Sequence, residues 1–353
     1  MTQAPTIGEW LFKGELEPDP TRKELLWLMV TDVIEGNYEH LFRVFVKHEP
    51  HTERKALAKR WRLIIASSLP VQIVWQMVFG NIEDALLQQT GRTPSAYGLV
   101  YGAGGWKRFR DMLVQRKVNL CVDKSGWDMN SPGWVYELCL ELRKRLCTDL
   151  TPAAERVMDM LYRDAYQSSK LIFGDGTILE QQFSGFMKSG LFVTISDNSF
   201  SQYFLHVLAC LRLRIPLGTF YATGDDTIQS LPPNVEEYLD HLEYAGCEVK
   251  EYMNGYQFMG FELKDYGPHP IYLGKHFWNL LHQEDENLEQ TIDSYLLNYC
   301  KVDEAFDYLR ALSIELGYAP RSKQWYRFLM DNPLALEGNW TRPGFVDPAS
   351  RLG

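Results

Sequence analysis

The sequence lacks the long apolar runs from which membrane-spanning helices are built. Its most apolar stretch, residues 69–80, is interrupted by Pro70, Gln72 and Gln76, whereas crossing a bilayer takes about 20 consecutive apolar residues. The start of the chain also lacks the basic residues and the apolar block of a secretory signal. We therefore expect no intrinsic membrane span.

Cysteines are few and scattered. The six cysteines form no Cys-x-x-Cys pair, so the sequence suggests neither a disulfide framework nor a zinc site. The histidines give no metal motif either, because His48-Glu-Pro-His51 is one residue short of HExxH and Pro50 disfavours the helix which that motif requires. A reduced, cytosolic compartment is the expectation.

Positive charge is also scarce overall. The net charge of −10 at pH 7 argues at first against a nucleic-acid partner. The basic residues are clustered, however, and local charge decides whether phosphate groups can bind. Residues 43–62 contain seven basic and two acidic side chains, and a second basic cluster covers residues 107–117. Charge therefore permits a phosphate-binding channel.

The apolar pattern predicts a mixed α+β chain with central strands, and 353 residues suffice for one large core or two modest ones. Strands are expected over 117–123 and on both sides of a tight turn within 217–230. Ser131 followed by Pro132 is typical of a helix start. Helices are expected over 23–35, 71–89, 132–147, 152–168, 191–214 and 235–245, and from residue 263 the chain is expected to be mainly helical.

Two acidic motifs carry the first chemical signal. In Asp123-Lys-Ser-Gly-Trp-Asp128, the predicted strand ends at Asp123 and projects its carboxylate from the sheet edge. In Gly224-Asp225-Asp226, the glycine supplies the backbone freedom of a tight hairpin. If this hairpin lies beside the first strand, Asp123 and Asp225 face each other.

Facing carboxylates repel unless a cation neutralises them, and hard oxygen ligands suit Mg²⁺. Two such ions can clamp an in-line phosphoryl displacement. Taken alone, Gly-Asp-Asp is more often an exposed turn, and an Asp-x₄-Asp spacing occurs by chance in many proteins. The interpretation therefore depends on the order in which several motifs occur together.

A third motif lies between the two acidic ones. Ser189 and Gly190 form a flexible loop, and polar residues then recur at every fourth position of the predicted helix. These residues are Thr194, Asn198 and Gln202. Uncharged donors and acceptors suit sugar hydroxyls, and the 2′-hydroxyl distinguishes RNA from DNA; Asp128 and Asn198 would sense it. The alternative is a solvated helix face, which normally carries more charge.

The basic segment at residues 47–62 precedes them all. If it contains an extended strand, Arg60 and Arg62 share a face, and arginine forks bind phosphate oxygens bidentately. They would hold an incoming triphosphate over the metal site. A solvated charged surface is the alternative.

The ordered set resembles the motif series of positive-strand RNA virus polymerases, most closely the sobemovirus, polerovirus and barnavirus group, over residues 47–261. The resemblance implies a right-hand polymerase fold with fingers, a palm with a central antiparallel sheet, and a helical thumb. The implied division is 1–116 fingers with fingertips, 117–130 palm, 131–185 fingers, 186–262 palm and 263–353 thumb.

The resemblance also implies roles for individual residues. The metal-binding carboxylates, here called the three aspartates, are Asp123, Asp225 and Asp226. The nucleotide and template contacts are Lys47, Lys55, Arg60 and Arg62. The ribose-selecting residues are Ser189, Gly190, Thr194 and Asn198, with Asp128. Lys250 is the candidate general acid that protonates pyrophosphate, with an ordinary surface lysine as the alternative. Residues 256–261 would form the primer-gripping hairpin or a buried apolar strand.

The implied function is template-directed RNA synthesis by two-metal-ion nucleotidyl transfer, which replicates and transcribes a viral RNA genome. Two Mg²⁺ ions are the expected cofactors, with Mn²⁺ able to substitute. RNA template, nascent RNA and nucleoside triphosphates are the expected partners, and a genome-linked protein primer and other viral replication proteins are further candidates. The expected location is the host cytoplasm in viral replication complexes, with packaging in or association with the virion.

Three alternatives stay open on the sequence alone. A reverse transcriptase shares the palm carboxylates but usually differs before the paired aspartates and in the Ser189-Gly190 to Asn198 segment. A non-catalytic RNA-binding scaffold would have lost a metal carboxylate. A two-metal nuclease or cyclase would not require the basic segment or the polar helix stripe.

Overall fold

The computed structural model describes residues 6–49 and 51–333. Pro50, on which the argument against HExxH partly depends, and residues 334–353 of the predicted thumb lie outside the described residues. The chain divides into two compact units. The first unit comprises Met1–Lys47, Arg62–Glu83 and Ser131–Thr194, and the second comprises His48–Trp61, Asp84–Asn130 and Ile195–Gly353.

Helices make up most of the regular structure. In chain order they are α1 (Ile7–Phe12), α2 (Pro20–Glu35), α3 (Glu53–Leu57), α4 (Leu69–Gln88), α5 (Gly105–Gln115), α6 (Trp127–Asn130), α7 (Gly133–Leu146), α8 (Pro152–Tyr166), α9 (Thr194–Leu213), α10 (Val235–Tyr244), α11 (Leu273–Leu281), α12 (Asp285–Asn298), α13 (Asp303–Glu315) and α14 (Lys323–Asp331). Within the described residues, no helix combines the length and the apolar character that spanning a bilayer requires.

Short strands alternate with these helices. In chain order they are β1 (Leu41–Val46), β2 (Leu63–Ala66), β3 (Val118–Lys124), β4 (Lys170–Ile172), β5 (Ile178–Glu180), β6 (Phe220–Thr223), β7 (Asp226–Ser230), β8 (Val249–Asn254), β9 (Gln257–Phe258), β10 (Phe261–Lys264) and β11 (Gly267–Pro270). The mixture agrees with the predicted α+β class.

The first unit contains a four-stranded sheet with the order β2-β1-β4-β5. β1 pairs antiparallel with β2, where buried Val44 lies opposite buried Ile65, and parallel with β4. Its helices pack through aromatic rings, since Tyr136 of α7 stacks on Tyr166 of α8 with ring centroids 3.9 Å apart. α8 starts where the sequence predicts, because the Thr151 hydroxyl accepts a hydrogen bond from the Ala154 N–H at 3.2 Å.

The second unit contains an antiparallel sheet with the order β6-β7-β3-β8. β3 lies inside this sheet, and Leu120 and Val122 on it are buried. The amphipathic helix α5 contributes Phe109 to a core that also contains Val118 and Cys121 of β3, where its ring meets that of Tyr221 on β6 with centroids 5.6 Å apart. Burial of these apolar side chains, at about 25 cal/mol per Å², fixes the strand that carries Asp123.

The helices and strands agree with the sequence predictions to within a few residues at most ends, with three differences. Residues after 263 first complete the β10–β11 hairpin and only then become helical. Arg60 and Arg62 precede β2 and do not lie on it. α7 begins without a Ser131 cap, since Pro132 takes the N-cap position and gives no side-chain hydrogen bond.

Candidate active site

The β6–β7 hairpin presents the paired aspartates. Gly224 has a left-handed φ of 64°, which glycine adopts without steric cost, and Asp225 completes the turn. Asp226 then begins β7 opposite Thr223. The hairpin therefore has the form that the Gly-Asp-Asp pattern predicts.

β7 brings this hairpin next to Asp123. It pairs antiparallel with β3, and Val122 lies opposite Thr227. Because Asp123 follows Val122 and Asp226 precedes Thr227, the antiparallel register places both carboxylates at one end of the sheet. The condition that the sequence argument required, a hairpin beside the first strand, is met.

A buried lysine that the sequence argument did not use lies beneath the hairpin. Lys124 is 6% exposed, and its ammonium donates to the Val122 carbonyl at 3.0 Å and to the Asp225 carbonyl at 3.4 Å. It also donates to the Thr227 hydroxyl. The strand alternation could have indicated this, because residues that follow each other on a strand point to opposite faces and Asp123 points outward.

The ionisation of this group reflects two opposing effects. Burial lowers the pKa of Lys124 to about 8, while the charges of the three aspartates and of Cys247 oppose that shift. Asp226 is partly exposed to solvent, but its carboxyl group is surrounded by protein atoms. Desolvation, followed by the Asp225 charge, raises its pKa to about 6. The hairpin thus holds carboxylates whose repulsion a bound cation would relieve.

Lys250 contacts this end of the sheet directly. β8 pairs with β3, so Glu251 lies opposite Asp123, and the Lys250 ammonium donates to Asp123 Oδ2 at 2.5 Å and to Glu251 Oε1 at 3.0 Å. These two hydrogen bonds, the one with Asp123 first, raise the pKa of Lys250 above its usual value. The surroundings of Lys250 therefore differ from those of an isolated surface lysine.

The predicted polar stripe lies on α9 and is largely buried. Asn198 and Gln202 are 5% and 2% exposed, which excludes a solvated helix face for them. The Asn198 amide oxygen accepts a hydrogen bond of 2.8 Å from the indole N–H of Trp127. Asp128 follows that indole in α6 and is half-buried.

The Ser189-Gly190 loop lies in the first unit, where it is bound to β2. The Ile65 N–H donates to the Ser189 hydroxyl at 3.3 Å, and the Gly190 N–H donates to the Ile65 carbonyl at 3.0 Å. A Cβ atom at Gly190 would lie 2.7 Å from that carbonyl oxygen and 2.9 Å from the Cα of Ala66. Only glycine therefore fits this approach of two backbones.

Two further groups hold the same loop in the first unit. The Thr194 hydroxyl donates to the carbonyls of Leu191 at 2.7 Å and Lys188 at 3.2 Å. The Lys188 ammonium is fully buried and donates to the Gln181 amide oxygen and, at 2.9 Å, to the Phe186 carbonyl. Burial lowers the pKa of Lys188 to about 7. No local pattern in the sequence predicted that the Lys188 side chain is buried.

The basic candidates are distributed over both units. Lys47 and Arg62 belong to the first unit, where the Lys47 N–H donates to the Arg62 carbonyl at 2.8 Å. Lys55 and Arg60 belong to the second unit. The side chains of Lys55, Arg60 and Arg62 are exposed and that of Lys47 is half-buried. Their nucleotide and template contacts stay a prediction.

Known proteins resemble this chain in sequence. The family model described as viral RNA-dependent RNA polymerase matches residues 33–255. Protein P1-P2 of Turnip yellows virus is 28% identical over 265 residues, which cover 66% of this chain and 24% of that protein. Replicase polyprotein P2AB of Southern bean mosaic virus is 32% identical over 200 residues, which cover 53% of this chain and 19% of that protein.

A third relative is the RNA-directed RNA polymerase of Mushroom bacilliform virus, 27% identical over 216 residues, which cover 59% of this chain and 51% of that protein. The matches therefore span about a fifth to a half of the relatives' own length. These relatives represent the polerovirus, sobemovirus and barnavirus groups, so the predicted resemblance is confirmed.

A solved structure resembles the fold. The Sicinivirus 3Dpol RNA-dependent RNA polymerase matches with a TM-score of 0.71 and 17% sequence identity, over 92% of this chain and 72% of that one. The likeness confirms the predicted right-hand polymerase fold. The division into fingers, palm and thumb at particular residues stays a prediction.

Proposed function

The chain belongs to the viral RNA-dependent RNA polymerase family, and we propose that it synthesises RNA on an RNA template by two-metal-ion nucleotidyl transfer. The main support is the β6-β7-β3-β8 sheet, whose antiparallel register brings the motifs of Asp123 and Asp226 to one end. Two segments that are about a hundred residues apart in the sequence (123 and 226) thus meet at one end of this sheet.

The residues present fit Mg²⁺. Desolvation, followed by repulsion from Asp225, raises the pKa of Asp226, and a divalent cation would offset both effects by stabilising the charged carboxylate. Among the described residues, no group of three or more His, Cys, Asp or Glu side chains forms a ready-made metal cage. Mg²⁺ does not need one, because it is usually bound by one or two carboxylates, waters and substrate phosphates.

In this proposal the three aspartates hold two Mg²⁺ ions, with Mn²⁺ able to substitute. When bound, the ions activate the attacking hydroxyl and neutralise the charge of the departing pyrophosphate. The protein holds the carboxylates in place, and the buried Lys124 ammonium stabilises the hairpin by donating a hydrogen bond to the Asp225 carbonyl.

In this proposal Lys250 is the general acid that protonates the leaving pyrophosphate. Its ammonium at 2.5 Å from Asp123 Oδ2 is held next to the carboxylates in its charged form. The proposed role requires that this ion pair open, since a lysine stabilised by a carboxylate is a weak acid. Nζ then donates to the pyrophosphate oxygen that leaves.

Nucleotide recognition is divided between charge and hydrogen bonding. Arg60 and Arg62, with Lys47 and Lys55, bind triphosphate and template phosphates in this proposal. Asn198 and Asp128 recognise the ribose, and the Ser189-Gly190 loop and Thr194 support that recognition. The burial of Asn198 and Gln202 on α9 removes the alternative of a solvated helix face.

The wider setting is also proposed from the relatives, which include a viral replicase polyprotein and a viral RNA-directed RNA polymerase. The partners would be template RNA, nascent RNA and nucleoside triphosphates, and further a genome-linked protein primer and other viral replication proteins. The site of action would be viral replication complexes in the host cytoplasm, with association with the virion.

The test is an extension assay on a defined RNA template, with and without an RNA primer and with Mg²⁺ or Mn²⁺. We expect templated incorporation of ribonucleotides that EDTA abolishes. Incorporation of deoxynucleotides in preference to ribonucleotides would instead indicate a reverse transcriptase. RNA binding without incorporation under any metal condition would indicate a non-catalytic scaffold.

A further inference from the structure

Trp127 and Asn198 form a buried hydrogen bond inside the second unit. The indole Nε1 lies 2.8 Å from the amide Oδ1, and the two residues are 2% and 5% exposed. Water therefore cannot easily replace either partner, and loss of one partner leaves the other unsatisfied. This contact involves a residue, Trp127, to which the motif series assigns no role.

The chemistry of the two groups fixes the orientation of the amide. An indole N–H can only donate, whereas an asparagine side chain has one end that accepts and one that donates. If the Asn198 amide were turned over, its NH₂ would face the indole N–H, donor against donor. Trp127 thus binds the Asn198 oxygen, so the NH₂ group points away from the indole and can donate to another group.

The backbone around this pair is connected to both acidic motifs. Trp127 begins α6 and directly precedes Asp128. Ser199, the next residue after Asn198 on α9, accepts a hydrogen bond of 3.0 Å from the Gly224 N–H and donates one of 2.7 Å to the Ile195 carbonyl. Two consecutive residues of α9 are therefore bound to the two segments that carry the aspartates.

We infer that Trp127 is a positioning residue for sugar selection, which holds the Asn198 NH₂ ready to donate to the 2′-hydroxyl oxygen of an incoming ribonucleotide. This inference rests on the proposed polymerase function and adds the direction of the hydrogen bond. The 2′-hydroxyl accepts from Asn198 and can give its own proton to a carboxylate such as that of Asp128. A deoxynucleotide lacks that oxygen and leaves the oriented amide unpaired, which disfavours it.

The first test is Trp127→Phe, which keeps an aromatic ring in the core and removes the N–H. We expect the ratio of kcat/KM for a ribonucleotide to that for the matching deoxynucleotide to fall about tenfold, the effect of losing one buried hydrogen bond. Templating should be unchanged.

The matched control is Trp106→Phe. The Trp106 indole N–H donates to Asp331 Oδ1 at 3.0 Å in the same unit, so the substitution removes the same atom from an equally buried ring. It should lower thermal stability without changing the sugar ratio. A fall in the ratio for both variants would mean that general loosening of the fold, and not amide orientation, controls selection.

Asn198→Asp tests the direction of the hydrogen bond and does not depend on the fate of the Trp127 variant. Aspartate has the shape of asparagine and can still accept from the indole, but it has no NH₂ to donate. The inference expects loss of ribonucleotide preference in this variant. Retained preference would show that the side-chain oxygen, not the NH₂, serves the sugar, and would overturn the inference.

The double variant completes the test. Because Trp127 acts through Asn198, Trp127→Phe should not lower the sugar ratio further in an Asn198→Ala background. An additive loss, or an unchanged ratio in Trp127→Phe alone, overturns the inference while leaving polymerase activity intact. Failure of the wild-type chain to incorporate any ribonucleotide overturns the proposed function instead, so the two failures are distinguishable.

Discussion

The backbone N–H of Gly224 donates a hydrogen bond of 3.0 Å to the hydroxyl oxygen of Ser199. This bond joins the turn that carries the paired aspartates to the helix that carries Asn198. Ser199 is buried, so water does not compete for its hydroxyl. The carboxylates and the proposed sugar-recognising amide are consequently held in one frame within the second unit, which favours precise placement of a nucleotide relative to the metal ions.

Asp225→Asn should abolish nucleotide incorporation at saturating Mg²⁺ while RNA binding survives. The substitution keeps the shape of the hairpin and removes one negative ligand, and Mg²⁺ prefers charged oxygen. Primer extension and RNA binding would be measured side by side. Asp240→Asn, an equal charge change at an exposed position of α10, is the control. Full activity of Asp225→Asn would refute the metal assignment.

Lys250→Met should lower kcat about a hundredfold with little effect on nucleotide KM, because a general acid acts on the chemical step and not on binding. The loss of its exposed ion pair with Asp123 should change the free energy of unfolding by no more than about 1 kcal/mol. Single-turnover kinetics measures the step. Lys23→Met, at an exposed position of α2, is the control. Equal rates in both variants would make Lys250 an ordinary surface lysine.

Gly190→Ala should destabilise the first unit. The new Cβ would lie 2.7 Å from the Ile65 carbonyl oxygen and 2.9 Å from the Ala66 Cα, and backbone atoms cannot move aside as a flexible side chain would. We expect the free energy of unfolding to fall by about 1–3 kcal/mol. Gly174→Ala, where no atom lies within 4 Å of the added Cβ, should be close to neutral. Denaturant unfolding of both variants gives the comparison.

Lys188 should make stability depend on pH. Its pKa is about 7 in the folded chain, against a usual 10.5, so between these values the unfolded chain binds a proton that the folded chain does not. The free energy of unfolding therefore rises with pH in this window, with a limiting slope of about 1.4 kcal/mol per pH unit. Below about pH 7 both states are protonated and the contribution levels off.

Lys188→Met removes this contribution, so wild-type protein should gain stability relative to the variant as pH rises from about 7 toward 9. Urea unfolding at several pH values measures the difference. If the free energies of unfolding of the two proteins changed with pH in parallel, Lys188 would not be a neutral buried amine in the folded chain. The variant leaves the Gln181 amide oxygen with the Ser169 hydroxyl as donor at 2.9 Å, so the core should survive the change.

RNA affinity should fall steeply with salt if the basic segment binds phosphates. A plot of log affinity against log salt has a negative slope, and each phosphate contact on single-stranded RNA makes it steeper by about 0.7. Arg60→Ala should make the slope shallower by the amount expected for the loss of about one contact. Arg145→Ala, which removes an exposed arginine paired with Glu141 on α7, should leave it unchanged. Equal slopes for the wild type and both variants would mean that the basic segment is a solvated surface and does not bind phosphates.

Much of the local structure follows from the sequence. The predicted helix start at Pro152 and the predicted turn at Gly224 are both found, because these residues act through their own backbone and their near neighbours. The prediction failed where distant contacts decide the outcome. Ser131 does not cap α7: Pro132 takes the N-cap position, and the segment before the helix is bound to a distant residue, since the Ser131 carbonyl accepts from the Phe186 N–H.

The sequence by itself determined the identity of the reacting groups: three aspartates, a polar stripe and a basic segment, in an order that resembles one family. The tertiary structure alone decided which groups surround them. It buried Lys124 under the hairpin and Lys188 beneath the loop, paired Lys250 with Asp123, and set the Trp127 indole against the Asn198 amide. The physical reason is that periodicity and turn chemistry are local, whereas burial, ion pairing and amide orientation arise from strand register and helix packing between residues far apart in the chain.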